Sequence, residues 1–244
     1  MARLRRRGRG RERGRRGMRV RRLGWINPVD WINHYCSRQK ILIVGDGDFS
    51  FSLALAAAFG SGRNIVATSL DSHEALTRKY TEAQSNVIKL NRMGAKVLHH
   101  ISAKSMKRHS YLETRQFHRI VFNFPHAGFN GREHEMHVIH LHKELVKGFF
   151  YNARELLQPD GEIHISHKTG HPYDAWNIEQ LAWEYSLTLI DKVNFRKQDY
   201  PGYNQKRGDG AKPNRGFFLG DSYTFKFRVK PNEVQDRYGV FAVL

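Results

Sequence analysis

The chain has 244 residues, of which 40% are hydrophobic and 12% aromatic, and its formal net charge is +18. This length and apolar content suit one globular domain and exclude a broadly disordered chain. The single cysteine, Cys36, excludes an internal disulfide framework and fits a reducing compartment. We expect no contact with a membrane, because no segment approaches the roughly 20 apolar residues that a spanning helix needs.

The positive charge is concentrated at the amino terminus. The first 22 residues contain twelve arginines and one glutamate, a net charge of +11, which leaves +7 for the rest of the chain. We expect a disordered Arg/Gly-rich tail over residues 1–24, a folded domain over 25–230 and an extension over 231–244. Such a tail binds RNA phosphates by counterion release and favours a nuclear or nucleolar location, with the cytoplasm as the alternative. A start at Met18 is the competing interpretation of the tail.

From Lys40 onward, β-rich segments alternate with helical patterns, which predicts an α/β fold with a mostly parallel sheet and helices on both faces. The predicted strands are residues 41–44, 64–70, 95–101, 120–124, 162–167, 187–195 and 222–229. The predicted helices are 52–59, a single helix carrying Leu76, Tyr80, Ala83, Val87 and Leu90, a long helix from Val138 to Ala153 stopped by a turn at 158–161, and a helix capped by Asp174.

A glycine loop follows the first buried strand. Gly45, Asp46, Gly47 and Ser50 lie between that strand and a helix, where backbone N–H groups can approach a ligand. Asp71 ends the next strand, where an acidic side chain can accept both ribose hydroxyl protons; it could instead be only a helix cap. A dinucleotide would use the same elements, but a third glycine is absent. Aspartates on both sides of Gly47 suit the ammonium of S-adenosylmethionine better than a pyrophosphate.

A second candidate site is Asn123-Phe124-Pro125-His126, at the end of the fourth predicted strand and hence at the same edge of the sheet. The Asn123 amide and the backbone carbonyl next to Pro125 can hydrogen-bond the edge of a flipped base, while Phe124 can stack on its face. The alternative is that Phe124 and Pro125 only terminate a strand and pack in the core.

Residues 200–208 form a predicted loop that combines aromatic faces with cations, as recognition of single-stranded RNA demands. Tyr200, Tyr203, Lys206 and Arg207 are the candidate RNA clamp, and a flexible loop without a partner is the alternative. We expect no metal site. Among the clustered histidines, His134 and His137 are one residue short of the H-E-x-x-H spacing.

Five ordered blocks resemble the ribosomal RNA uridine-N3 methyltransferase-like family: ILIVGDGDFSFS (41–52), VATSLDS (66–72), RIVFNFPHAG (119–128), GEIHISHKTGHPYD (161–174) and YPGYNQKRGDG (200–210). The resemblance implies a Rossmann-like class I methyltransferase fold, S-adenosylmethionine as cofactor, and ribosomal RNA as partner, methylated at N3 of a uridine in the large subunit. Nothing in the sequence indicates an oligomeric state.

The resemblance also implies residue roles. It assigns the methyl donor to Gly45, Asp46, Gly47, Ser50 and Asp71, and the target base to Asn123, Pro125 and His126. Ser102 is included among the donor residues, although the family usually has an acid at this position after the third strand, and the change weakens the expected adenine contacts. His118 also stands where the family often has an acid.

Methylation of uracil N3 requires loss of the imide proton, so a general base or a group that stabilises the anion is expected. His126 is the candidate base, and Lys168 could stabilise the developing negative charge or be a plain surface lysine. Two other functions stay open: an inactive methyltransferase-like module that binds RNA, and methylation of a different acceptor, such as another base or a protein side chain.

Overall fold

The computed structural model describes residues 30–230. The predicted tail of residues 1–24, the first five residues of the predicted domain and the predicted extension of residues 231–244 lie outside this range. In the described part, no helix has both the length and the apolar character needed to cross a membrane.

Seven strands form the central sheet, and a small amino-terminal hairpin packs beside it. The hairpin consists of β1 (Trp31–Ile32) and β2 (Tyr35–Cys36). The sheet strands are β3 (Ile41–Val44), β4 (Ile65–Thr68), β5 (Lys96–Leu98), β6 (Phe117–Asn123), β7 (Leu157–Lys168), β8 (Leu187–Asn194) and β9 (Ser222–Val229). Their order is β5-β4-β3-β6-β7-β9-β8. Neighbours from β5 to β7 are parallel, whereas β9 is antiparallel to both β7 and β8. The predicted mostly parallel sheet is confirmed.

Helices cover both faces of the sheet, as predicted. They are α1 (Ser50–Ala58), α2 (His73–Lys79), α3 (Ala83–Arg92), α4 (Met136–Ala153) and α5 (Ile178–Trp183). One core cluster joins the sheet to α4 and α5, and a second joins the opposite face to α1, α2 and α3. All four residues of β3 are buried because this strand is central and both its faces are covered.

The predicted single helix through Tyr80 is wrong: α2 ends at Lys79 and α3 begins at Ala83. Tyr80 itself is extended, with φ −132° and ψ 120°. Its hydroxyl donates a hydrogen bond of 3.3 Å to the carbonyl of Gly208, so a tertiary contact replaces continuation of the helix. The five apolar side chains of the predicted stripe are nevertheless all buried, because both short helices present their apolar side to the same core.

Two predicted boundaries are also corrected. Residues 158–161 do not end a helix before a new strand, because β7 already begins at Leu157. The pairing register passes from Phe117 opposite Leu157 to Arg119 opposite Glu162, so the predicted turn is a bulge within β7. Asp174 does not cap α5. It lies in a 3₁₀ turn of residues 173–176, and Asn177, with φ 53°, precedes the helix instead.

A buried polar network fastens the hairpin to the sheet. The His164 ring contacts the Tyr35 hydroxyl at 3.1 Å and the Glu162 carboxylate at 3.0 Å. Arg119 and Arg228 lie 3.3 and 2.6 Å from the same carboxylate. Burial alone would raise the pKa of Glu162, but hydrogen bonds from His164 and Arg228 and the charge of Arg119 lower it to about 2. The network therefore satisfies a buried carboxylate where hairpin and sheet meet.

Candidate functional site

Two adjoining cavities open at the carboxyl ends of the parallel strands. The central cavity, about 470 Å³, lies between the ends of β3, β4 and β6 and the loop of residues 203–209. The side pocket, about 180 Å³, lies beyond the end of β6 and beside the end of β7. Both cavities are lined by Phe124, His126, Lys206, Arg207 and Phe217. A groove of about 570 Å³ at the opposite edge, beside the amino ends of the strands, is lined by other residues.

Gly45 and Gly47 form one wall of the central cavity. Gly45 has φ +62°, and a Cβ at this position would lie 2.8 Å from Cε2 of Phe122. Both the left-handed backbone and the close approach of Phe122 therefore require glycine. A Cβ on Gly47 would meet Tyr80 and Lys206 at 3.6 Å, an ordinary contact distance. At Gly45, therefore, the cavity wall consists of backbone atoms alone.

Asp46 and Asp48 also line the central cavity, but protein groups already engage both carboxylates. Oδ2 of Asp46 accepts hydrogen bonds from the backbone N–H of Ser52 at 2.8 Å and from its hydroxyl at 2.5 Å. Burial raises the pKa of Asp46 to about 7, although the Ser52 hydrogen bonds act in the opposite direction. Asp48 accepts from the Ser50 N–H at 3.0 Å and lies 3.7 Å from Nζ of Lys206. These aspartates hold the glycine loop as well as facing the cavity.

Ser50 is placed differently from the prediction. It is buried and does not line the central cavity. Its hydroxyl oxygen accepts a 3.0 Å hydrogen bond from the Asn204 N–H and lies 3.4 Å from the Asn204 carbonyl. The side chain therefore ties the start of α1 to the loop that roofs the cavity, and its predicted contact with a cofactor has no geometric support.

Asp71 and Ser102 both line the central cavity. Asp71 Oδ1 lies 2.6 Å from Nζ of Lys79, which orients the carboxylate. The Ser102 hydroxyl oxygen accepts from the backbone N–H of Lys104 at 3.2 Å. Asp71 is therefore available as the acidic residue at the end of the second parallel strand, where the sequence placed it.

Asn123 ends β6 and lines the central cavity. Its Oδ1 accepts a hydrogen bond of 2.7 Å from the Ser166 hydroxyl. Its Nδ2 is buried and has no hydrogen-bond partner among residues 30–230. A buried amide N–H without a partner is rare in proteins, so this atom is a candidate ligand-binding donor.

Phe124, Pro125 and His126 carry the chain from the central cavity into the side pocket. Phe124 has φ 50° and packs edge-on against Phe195 and Phe217. Nδ1 of His126 accepts a 3.1 Å hydrogen bond from the Gly128 N–H, whereas Nε2 is buried and unpaired within the described chain. Burial lowers the pKa of His126. In the neutral ring, therefore, the proton is on Nε2, which makes this atom a donor and does not favour the predicted role of general base.

The side pocket contains a hydrogen-bonded chain of three ionisable groups. Lys168, at the end of β7, donates from Nζ to the Tyr173 hydroxyl at 3.1 Å, and that hydroxyl donates to Oε2 of Glu133. Burial lowers the pKa of Lys168. Burial, and then the hydrogen bond to Glu133, raise the pKa of Tyr173. Lys168 is therefore half-buried with its charge inside the pocket, and the plain surface interpretation is wrong.

The residues of the predicted RNA clamp (200–208) do not all lie at the cavities, because some of them pack in the core. Tyr200 is 2% exposed and stacks on Phe195 with ring centroids 5.6 Å apart, so it is a core residue and cannot stack on RNA. Tyr203 is buried too, but it lines the central cavity. Lys206 and Arg207 line both cavities, and the Arg207 guanidinium lies 4.7 Å from the Phe129 ring centroid. The cations of the predicted clamp reach the site, and Tyr200 does not.

Several lining residues were absent from the sequence prediction: Tyr80, Glu133, Tyr173, Trp176 and Phe217. Tyr173 lies within the block GEIHISHKTGHPYD, so this position carried a signal. Glu133 and Phe217 lie in loops whose path depends on tertiary packing. No periodicity or turn motif marks them.

The clustered histidines form no metal site in the described chain, where no group of three potential ligands could hold an ion. His142 is buried; its Nδ1 accepts from the Ala127 N–H at 3.0 Å, and its ring stacks on Trp176 at 4.3 Å. Burial lowers its pKa to about 4. It therefore supports the loop that follows β6.

Comparison with known proteins gives a consistent result. A family model described as rRNA (uridine-N3-)-methyltransferase BTM5-like matches residues 42–207. Heavy metal-associated isoprenylated plant protein 41 of Arabidopsis thaliana is 47% identical over 223 residues, which cover 86% of this chain and 43% of that protein. Uncharacterized protein At4g26485 of Arabidopsis thaliana is 48% identical over 200 residues, 81% of this chain and 96% of that protein.

A more distant relative is the 25S rRNA (uridine(2634)-N(3))-methyltransferase of Saccharomyces cerevisiae, 26% identical over 222 residues, which cover 69% of this chain and 66% of that protein. The chain thus spans less than half of one curated relative and slightly less than two thirds of another. The family match covers the glycine loop, Asn123 to His126, the Lys168 to Tyr173 segment and the loop up to Arg207.

Proposed function

The chain belongs to the BMT5-like rRNA (uridine-N3-)-methyltransferase family and has the Rossmann-like class I methyltransferase fold, and from this premise we propose that it methylates N3 of a uridine in large-subunit ribosomal RNA, with S-adenosylmethionine as donor. The single observation that carries the proposal is the pair of adjoining cavities with a shared wall at Phe124 and His126. The central cavity suits a nucleoside donor, and the side pocket suits a single base.

The residues of the central cavity fit S-adenosylmethionine. The glycine wall at Gly45 admits a ligand against the backbone, and Asp71 supplies acceptors for ribose hydroxyls. Asp46 and Asp48 would place carboxyl oxygens near the donor's ammonium. Ser102 would lie on the adenine side. When bound there, the donor supplies an electrophilic methyl group on a sulfonium, and positioning by the protein contributes much of the acceleration.

The free hydrogen-bonding atoms favour uracil over adenine as the target. Uracil presents two carbonyl oxygens on either side of N3–H, so its site needs donors. Nδ2 of Asn123 and Nε2 of His126 are unpaired donors among the described residues. An adenine exocyclic amine would need an acceptor at this position, and the Asn123 oxygen is already occupied by Ser166. Phe124 and Phe217 offer apolar faces for a flipped base.

The RNA itself would be held by cations around the cavities and by the Arg-rich residues 1–22, whose charge favours polyanions. Lys206 and Arg207 line both cavities and can approach the phosphates beside a flipped nucleotide. A nucleolar location follows from this substrate, because large-subunit RNA is processed there.

The test is incubation of the purified chain with labelled S-adenosylmethionine and deproteinised large-subunit rRNA, followed by nucleoside mass spectrometry. We expect 3-methyluridine as the labelled product. Labelling confined to another base would overturn the uridine assignment.

Calorimetry with S-adenosylmethionine separates an enzyme from an inactive RNA-binding module. The proposal expects a saturable 1:1 heat in the absence of RNA. Binding of RNA without any binding of the donor would leave only the inactive module.

A further inference from the structure

The side pocket holds a chain of groups that the family assignment does not explain. Lys168 Nζ, Tyr173 Oη and Glu133 Oε2 are linked by consecutive hydrogen bonds, and all three residues line the pocket beside Phe124 and His126. At one end is an ammonium that donates only, and at the other a carboxylate that accepts only. Such an ordered chain can carry a proton in one direction, from the pocket towards Glu133.

We propose that this Lys168–Tyr173–Glu133 chain is the proton acceptor for the N3–H of the target uracil. The inference rests on the proposed function. The N3–H bond breaks as its proton forms an O–H bond with Tyr173 Oη, while the proton of Tyr173 moves to Oε2 of Glu133. The result is an N3 anion, a neutral Tyr173 and a protonated Glu133.

Deprotonation precedes methyl transfer because the proton and the incoming methyl group need the same in-plane lone pair of N3. The deprotonated N3 would then be the nucleophile for the methyl group that a bound donor would supply. The Lys168 ammonium stabilises the anion before transfer. Glu133 is half-buried at the rim, so it can return its proton to solvent.

The alternative acceptor, His126, is disfavoured by its hydrogen bonding. Its Nδ1 is occupied by the Gly128 N–H, and its Nε2 therefore carries the ring proton in the neutral form. His167 also lines the pocket, but its Nε2 lies 3.3 Å from the Tyr173 carbonyl and its pKa is lowered by burial to about 4. The remaining charged groups that face the pocket, Lys206 and Arg207, are cations. They favour loss of the N3 proton without being able to take it.

The experiment compares Glu133→Gln and Tyr173→Phe with wild type on a short rRNA transcript. Tyr151→Phe and Glu179→Gln, on surfaces away from both cavities, are the matched controls. We expect each test variant to lower kcat about 10²- to 10³-fold, with KM for RNA changed less than about twofold. The wild-type rate should level off at alkaline pH. The Glu133→Gln rate should instead continue to rise with pH, because this variant can methylate only uracil that has already lost its N3 proton.

Two readouts are specific to proton removal. A transcript with 5-fluorouridine, whose N3–H is more acidic, should restore most of the rate of both variants. In donor-free complexes with ¹⁵N3-labelled uridine, the imino proton should show a hydrogen-bonded shift with wild type that is lost with Tyr173→Phe.

The outcomes are distinguishable. If wild type makes no 3-methyluridine, the proposed function fails. If wild type is active and both variants stay within about threefold of it, the proton chain is wrong. If Glu133→Gln is slow and Tyr173→Phe is not, Glu133 accepts the proton directly, and the relay through Tyr173 is overturned.

Discussion

The Ser166 hydroxyl donates a 2.7 Å hydrogen bond to Oδ1 of Asn123 and thereby fixes the orientation of the amide, whose Nδ2 is buried without a partner among residues 30–230. Ser166 is in turn 3.0 Å from the Thr224 hydroxyl on the antiparallel strand β9. The orientation of the Asn123 amide therefore depends on β9, the one strand of the described sheet that is antiparallel to its neighbours. This relationship supports the proposed preference for uracil and leads to the first prediction.

Asn123→Asp replaces the amide donor with an oxygen that cannot donate to a uracil carbonyl. We expect kcat/KM for the rRNA transcript to fall by about 10- to 100-fold, in line with the loss of one buried hydrogen bond of about 1–3 kcal/mol. Asn91→Asp, on the exposed side of α3, is the control and should leave kcat/KM unchanged. Equal activity of the two variants would show that Nδ2 of Asn123 makes no contact with the base.

Gly45→Ala and Gly60→Ala form a matched pair. Their φ angles are +62° and +63°, but a Cβ on Gly45 would meet Phe122 at 2.8 Å, whereas one on Gly60 would have no atom within 4 Å. Both substitutions should lower the free energy of unfolding by about 1–2 kcal/mol through backbone strain. Only Gly45→Ala should also weaken S-adenosylmethionine binding, by about tenfold or more, in calorimetry. Similar donor affinities for the two variants would remove Gly45 from the donor site.

The buried carboxyl of Asp46 should make stability depend on pH. Because burial raises its folded-state pKa from 3.8 to about 7, the protonated form is favoured in the folded state. Its contribution to stability is fully present below about pH 4 and is lost as pH rises through about 7. Asp46→Asn keeps an oxygen for the Ser52 donors and cannot ionise. We therefore expect its free energy of unfolding, relative to wild type, to rise between these two pH values.

Urea denaturation of Asp46→Asn and wild type at a series of pH values measures this difference. Asp160→Asn, at an exposed carboxylate on the β7 bulge, is the control and should follow wild type throughout. A difference between Asp46→Asn and wild type that does not vary with pH would mean that Asp46 is ionised across the whole range.

Alanine substitutions at Tyr200 and Phe218 should affect different properties: stability for Tyr200 and RNA affinity for Phe218. Tyr200→Ala removes a buried ring and should lower the free energy of unfolding by about 3–5 kcal/mol. Phe218 is 87% exposed and follows Phe217, which lines both cavities. Phe218→Ala should leave Tm unchanged but weaken RNA binding by about 1–3 kcal/mol if a flanking base stacks on this ring. Filter binding and thermal denaturation measure the two effects, and RNA affinity unchanged in Phe218→Ala would contradict the stacking role.

The sequence predicted the parts of the fold that depend on local patterns. The strand Ile41–Val44 was found because it is a continuous apolar run, and the long helix up to Ala153 because its apolar residues recur at helical spacing. The break at Tyr80 was missed, since its cause is a hydrogen bond to a residue 128 positions away. The bulge at 158–161 was taken for a turn because proline and glycine favour both structures.

For the candidate site, the residues predicted at strand ends lie at one cavity, because the carboxyl edge of a parallel sheet is a property of the topology. Gly45, Asp71 and Asn123 all line the central cavity. Tyr200 was misassigned because an aromatic side chain in a loop can serve the core as readily as a ligand. Glu133 was missed since only the folded chain brings it to Tyr173.

The pairing of Ser50 with Asn204 joins segments 154 residues apart, so the roof of the central cavity comes from the last quarter of the described chain. During translation, the glycine loop therefore emerges long before the segment that completes its cavity. We expect nascent chains that stop short of residue 200 to have little affinity for a nucleoside ligand, so that the ligand stabilises only polypeptides that already include this segment.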